Sequence, residues 1–125
     1  MDIKITIQWP AGEASASLNN TTSTEALLAV LPVESVAQTW GDEVYFSVPM
    51  QTGLEADAMQ VVAPGTVGYW TEGQCLAIPF GPTPIAVADE CRLAAAVNLL
   101  GQVDGDPRVL ASMKPGDPVR VVRIE

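Results

Sequence analysis

Ile3, Ile5 and Ile7 alternate with Lys4, Thr6 and Gln8, so the isoleucines share one face of a half-buried strand. Pro10-Ala11-Gly12 then turns the chain. Ala14, Ala16 and Leu18 alternate with Glu13, Ser15 and Ser17, which makes the pair a hairpin. Thr22 and Glu25 have capping-box spacing, and Leu27, Leu28 and Leu31 follow at helical spacing until Pro32 ends the helix. Val33 to Trp40 and Val44 to Val48 flank Gly41-Asp42, a second hairpin, with Val44, Phe46 and Val48 on its inner face. Residues 49 to 60 show no period and read as a loop. Short strands follow over Val61-Val62, Val67 to Thr71 and Cys75 to Phe80.

Gly81-Pro82-Thr83-Pro84 cannot join a ladder and forms a rigid loop. Ala94 to Val103 fits helix or strand by composition; the alternation of Val97, Leu99, Gly101 and Val103 selects a strand from Val97. Asp106-Pro107 starts a second helix, with Val109, Leu110 and Met113 as its apolar stripe and Pro115-Gly116 as its end. The last strand, Val119 to Ile124, slips in period at Val121-Val122, which predicts a bulge. The expected fold is mainly β: a closed antiparallel barrel with two short helices over its ends, formed by residues 1–125 as a single domain.

Charge narrows the partners. The net charge is −9, and from Ile5 to Cys91 there are ten acids and no Lys or Arg. Such a surface repels nucleic acid and anionic membranes, so neither is an expected partner. MDIKITIQ lacks the basic and apolar regions of a signal peptide, and the expected location is cytoplasmic. Cys75 and Cys91 are too far apart for a Cys-x-x-Cys motif and read as buried thiols.

Three blocks carry a resemblance. Trp40-Gly41-Asp42-Glu43-Val44-Tyr45-Phe46-Ser47-Val48-Pro49 is the first. Gly65-Thr66-Val67-Gly68-Tyr69-Trp70-Thr71-Glu72-Gly73, leading to Ile78-Pro79-Phe80-Gly81-Pro82-Thr83-Pro84, is the second. Val97-Asn98-Leu99-Leu100-Gly101 is the third. Together they resemble the small prokaryotic cyclophilin-like proteins, a largely uncharacterised family. The resemblance implies a cyclophilin-type barrel over nearly the whole chain, and it raises the question of peptidyl-prolyl isomerisation.

Isomerisation must lower a barrier of about 18–20 kcal/mol. In cyclophilins an arginine beside the prolyl amide carries much of that task, in a Phe-His-Arg context. The comparable strands here have no arginine, and the chain has no histidine. Arg92 follows Asp89-Glu90 and reads as a surface ion pair, while Arg108, Arg120 and Arg123 fall on the C-terminal elements. No catalytic residue is assigned, and no cofactor or metal is expected. Asp42-Glu43 and Asp89-Glu90 read as solvated turn acids, not as a calcium site.

Six of the seven aromatic residues lie in the family-like blocks. By period two, one member of each pair Tyr45-Phe46 and Tyr69-Trp70 points inward and its neighbour outward, so the outer pair forms a surface platform. From Gly73 to Ala88 there is no charge, which marks a recess or a contact. The candidate binding residues are Trp40, Tyr45, Tyr69, Trp70, Phe80, Thr83, Pro84 and Asn98. The expected function is a non-catalytic module for a peptide or small molecule. The alternatives are a weak isomerase and an interaction domain within a larger assembly, and an oligomer stays open.

Overall fold

The computed structural model describes residues 3–124. In chain order the elements are β1 (Ile3–Trp9), β2 (Gly12–Leu18), α1 (Thr22–Val30), β3 (Val33–Val36), β4 (Gln38–Thr39) and β5 (Glu43–Ser47). There follow β6 (Met59–Val62), β7 (Thr66–Trp70), β8 (Cys75–Pro79), β9 (Cys91–Val103), a 3₁₀ helix (Pro107–Ser112) and β10 (Pro118–Ile124). The fold is mainly β, and every strand pair is antiparallel.

The ladder runs β3-β10-β1-β2-β9-β7-β8-β5-β4, with β6 added to β9. Among the described residues this ladder does not run round into a closed ring, so the mainly β antiparallel sheet expected from the sequence is present while its closure into a barrel is not shown. The two ends of this path, β3 and β4, are consecutive segments joined by Ala37. The stretch 33–40, expected as one strand of a hairpin, is therefore divided: Val33–Val36 pairs β10, and only Gln38–Thr39 pairs β5. Ala37 is held where the chain changes partners, donating to Asp117 O and accepting from Gly116 N.

Inside the curved sheet lies one apolar cluster. β1 contributes Ile5 and Ile7, β2 Ala14 and Ala16, β5 Val44 and Phe46, β7 Val67 and Tyr69, β8 Leu76 and Ile78, and β10 Val119 and Val121. Each pair is two residues apart, the strand period that puts side chains on one face. Leu27 from α1 and Leu110 from the 3₁₀ helix, both fully buried, complete it. Each fully buried side chain of this size contributes roughly 1.5–3 kcal/mol.

Local details differ from expectation where several residues could play the same role. The α1 cap is Thr21, not Thr22: its hydroxyl accepts from Thr24 N at 3.1 Å, and Glu25 stays exposed. Asp106 caps the second helix as expected, accepting from Arg108 N at 2.9 Å, but of the expected stripe Val109 is exposed and only Leu110 and Met113 are buried. The β1–β10 register is unbroken through Val121-Val122, so the expected bulge is absent there; the irregularities lie at Val67/Gly68 and Met59/Val61. β9 begins at Cys91, six residues before the expected start. Cys75 and Cys91 are buried free thiols.

Candidate functional site

The outer face of β5, β8 and β7 carries the cavity. Since Val44 and Phe46 point into the core, Glu43 and Tyr45 point outward, and the same alternation puts Ala77 of β8 and Gly68 and Trp70 of β7 on that flank. Tyr45 pairs Ala77, and Ala77 pairs Gly68, so a row with one large and two small members crosses the three strands. The small members leave a hollow. The N-terminal half of β9 leaves the β7 ladder to pair β6 and walls the hollow with Leu93, Ala94, Ala95 and Val97. Contact is tight at this wall: a Cβ on Gly68 would stand 2.5 Å from Val97 Cγ2.

The resulting cavity holds about 170 Å³ and is lined by these residues together with Trp40, Glu43, Tyr45 and Trp70. An apolar cavity of roughly 150 Å³ can hold a benzene-sized molecule. Leu93, Val97 and Ala77 are buried yet lie outside the main core cluster, so the flank has a small apolar layer of its own.

Two polar groups in this wall are unpaired. Glu43 is only 6% exposed, its Oε1 has no hydrogen-bond partner, and burial pushes its carboxyl from 4.5 up to about 7. The indole N–H of Trp70 is likewise buried without an acceptor. An unpaired buried polar group costs about 1–3 kcal/mol. Burial also pushes up the thiols of Cys75 and Cys91, and the negative charge of Glu43 pushes both the same way.

The loop Gly81-Pro82-Thr83-Pro84 is tied to two segments of this wall. Phe80 N donates to Asp42 O at 2.7 Å, and Asp42 N donates to Pro82 O at 3.0 Å, which ties the loop to the β4–β5 turn. Thr83 Oγ1 donates to Arg92 O, fastening the same loop to the start of β9. Gly41 turns with φ +61°, and a Cβ there would meet Pro84 Cδ at 2.8 Å. Trp40 N donates to Glu43 O, closing the hairpin that presents both side chains.

Of the residues singled out from sequence, Trp40, Tyr45 and Trp70 come together around the cavity. Thr83 and Pro84 lie in the loop tied to this wall. Tyr69 is fully buried on the opposite face of β7, with its hydroxyl donating to Met50 O at 2.7 Å. Asn98 is also fully buried: it accepts from Glu55 N at 2.7 Å and donates to Ser23 Oγ and Gly53 O, both at 2.9 Å. These two anchor the segment 50–55 and do not line the cavity. Phe80 is buried too, with the Arg108 guanidinium 6.0 Å from its ring centre. Arg92 pairs Glu90.

Glu43 corrects the expectation of a solvated turn acid. Its parity with Tyr45 places it on the outer flank, but its burial depends on β9 folding across that flank, which no local pattern reveals. Leu93, Ala94, Ala95 and Val97 escape a sequence reading for the same reason.

The family model described as cyclophilin-like matches residues 1–122. Among solved structures, the hypothetical protein AF2241 from Archaeoglobus fulgidus is similar over 98% of this chain and 95% of its own, at 30% identity and a TM-score of 0.83. McbB, solved in complex with tryptophan, has the same fold over 94% of this chain and 44% of its own, at 17% identity and a TM-score of 0.66. No curated protein matches the chain in sequence. No helix among the described residues is long and apolar enough to cross a membrane.

Proposed function

The chain belongs to the cyclophilin-like family, and we propose that it acts as a binding module without catalytic turnover, taking a small molecule or a single side chain of a peptide into the outer-flank cavity. The observation that carries this reading is the pair of unpartnered polar groups, Glu43 and Trp70, in a wall otherwise made of aromatic and aliphatic side chains. A mostly apolar recess with a few convergent polar groups is the usual make-up of a ligand site. A ligand offering a donor to the carboxyl and apolar surface to the rest removes the cost of leaving that carboxyl unpaired.

Cyclophilin-type isomerisation relies on an arginine at the prolyl amide, a preorganised charge where the amide twists, and no Lys or Arg lines the cavity. Arg108 is the guanidinium with an aromatic partner, Phe80, and this favours isomerisation as the second reading. Yet Phe80 is buried and neither residue borders the cavity. The fold itself does not decide, since a fold hosts many functions; McbB shares it and was solved with tryptophan.

A coupled cis/trans assay on a set of X-Pro peptides, run beside a fragment screen observed through tryptophan fluorescence, tests the proposal. Saturable binding that perturbs Trp40 and Trp70, with isomerisation at the uncatalysed rate, is the expected result. Turnover well above background that Arg108→Ala removes would replace it with the isomerase reading.

A further inference from the structure

The cavity combines three features that together specify a charge. Trp40, Tyr45 and Trp70 supply aromatic surface, and Glu43 supplies one carboxyl. The titratable groups the structure brings to that carboxyl are Tyr45 in the same cavity wall and the thiols Cys75 from β8 and Cys91 from β9, which its charge reaches, while Asp42, its neighbour in the chain, and Asp89 both act on Cys91. None of them is a base, and Arg92, next in the chain to Cys91, is engaged by Glu90. Among the described residues the carboxyl therefore has no counter-ion.

We infer that the cavity takes a small substituted ammonium ion, with the Glu43 carboxylate as its counter-ion and Trp40, Tyr45 and Trp70 as an aromatic cage. The inference rests on the reading of this cavity as a ligand site and names the class of ligand. A cation placed against aromatic rings is attracted by their quadrupoles, most strongly where water is excluded. Recognition of alkylated ammonium groups by such cages is a recurrent use of that attraction.

The walls also select among cations. A primary ammonium carries three N–H donors that all need acceptors, whereas this wall offers the carboxyl and otherwise mainly alkyl and aromatic groups. A tertiary or quaternary ammonium presents methyl or methylene surface to Leu93, Ala95 and Val97 and leaves few or no donors unpaired. The net charge of −9 attracts cations from a distance. Binding a cation also draws the carboxyl to its ionised form, so affinity rises with pH through the range in which Glu43 titrates.

Choline and its uncharged carbon isostere, 3,3-dimethylbutan-1-ol, separate charge from shape. In ¹⁵N-labelled protein at pH 8, choline should move the indole N–H signals of Trp40 and Trp70 saturably and leave Trp9 in place. The isostere should bind at least about tenfold more weakly, a difference of about 1.4 kcal/mol. Glu43→Gln should weaken choline binding about tenfold without changing the isostere, and wild-type affinity for choline should fall between pH 8 and pH 5.5. Trp40→Leu, at a half-exposed position, should weaken choline more than the isostere.

Equal binding of the two probes, or choline binding indifferent to Glu43→Gln, overturns the ammonium assignment and leaves the cavity reading intact. If neither probe moves Trp40 or Trp70, the ammonium assignment falls, and a fragment that binds elsewhere on the molecule removes the cavity reading as well.

Discussion

Removing the charge of Glu43 should stabilise the protein in a pH-dependent way. The carboxyl is raised from 4.5 to about 7 because burial disfavours its ionised form. The folded state therefore holds the proton more tightly than the unfolded chain. Its contribution to stability is fully present below 4.5 and is lost as pH rises through about 7. A tenfold change in proton affinity corresponds to about 1.4 kcal/mol, so the loss amounts to about 3 kcal/mol, of which about 2.5 kcal/mol falls between pH 5 and pH 8.

Glu43→Gln keeps the shape and stays neutral at every pH. Thermal unfolding of the two proteins should show the variant gaining steadily on the wild type, with the gap in Tm widening by roughly 10 °C between pH 5 and pH 8 for a domain of this size. Other perturbed groups do not confuse the comparison. Asp104 and Glu90 are lowered by hydrogen bonds, while burial raises the thiols of Cys75 and Cys91 and the hydroxyl of Tyr69, so these shifts all lead away from this window; losing the Glu43 charge removes only one of the smaller causes that raise the two thiols. A gap that stays constant to within about 0.5 kcal/mol from pH 5 to pH 8 would refute the claim that Glu43 is a buried, uncompensated acid.

Other substitutions probe the frame around the cavity. Asn98→Ala strands the amide of Glu55 and the carbonyl of Gly53 and should cost about 2–4 kcal/mol, with hydrogen exchange at the Glu55 amide accelerating at least as much as the global rate. Gly68→Ala drives a methyl against Val97 and should cost about 1–3 kcal/mol by overpacking, read in urea unfolding, and it should weaken any cavity ligand by pushing out the β9 wall. Gly101→Ala is harsher, because its Cβ would stand 2.0 Å from Ser17 O and force β2 and β9 apart; a well-folded variant with wild-type stability would contradict the register of these two strands. Asp104→Ala removes both the exposed pair with Lys4 at 3.1 Å and the hydrogen bond from Ser17 Oγ at 2.7 Å; the salt-sensitive part of its cost, the ion pair, should stay under about 1 kcal/mol, read as the difference between unfolding at low and high salt.

Most of the strands were legible because alternation is local. Val44, Phe46 and Val48 declare their inner face from their own sequence, which puts Tyr45 outside. For Tyr69-Trp70 alternation says only that the two face opposite ways, and it is the packing of the sheet that turns Tyr69 inward and leaves Trp70 on the flank. What alternation cannot give is the partner of each strand. The segment 33–40 looks continuous, but Ala37 marks where it passes from β10 to β5. Ala94-Ala95-Ala96 suits helix as well as strand, and the pairing with β6 on either side of it, at Arg92 and Val97, decides it. Tyr69 and Asn98 drew attention as an aromatic and an amide in a family-like block; both serve the segment 50–55, whose position depends on tertiary contacts alone. At the helix start, Asn19-Asn20-Thr21-Thr22 offers four residues able to cap, and the register of the first turn chooses Thr21.

The edges of the sheet bear on how the molecule behaves in company. β3 ends the ladder with four residues and β4 with two, while β6 adds four more beside β9. At these three margins a neighbouring molecule seeking to extend the sheet finds brief stretches of open backbone, and Glu34 guards one of them with a charge. Brevity at these margins works against pairing through the strand ends, so the apolar hollow sits on a flank whose nearest edges offer little template for a second sheet.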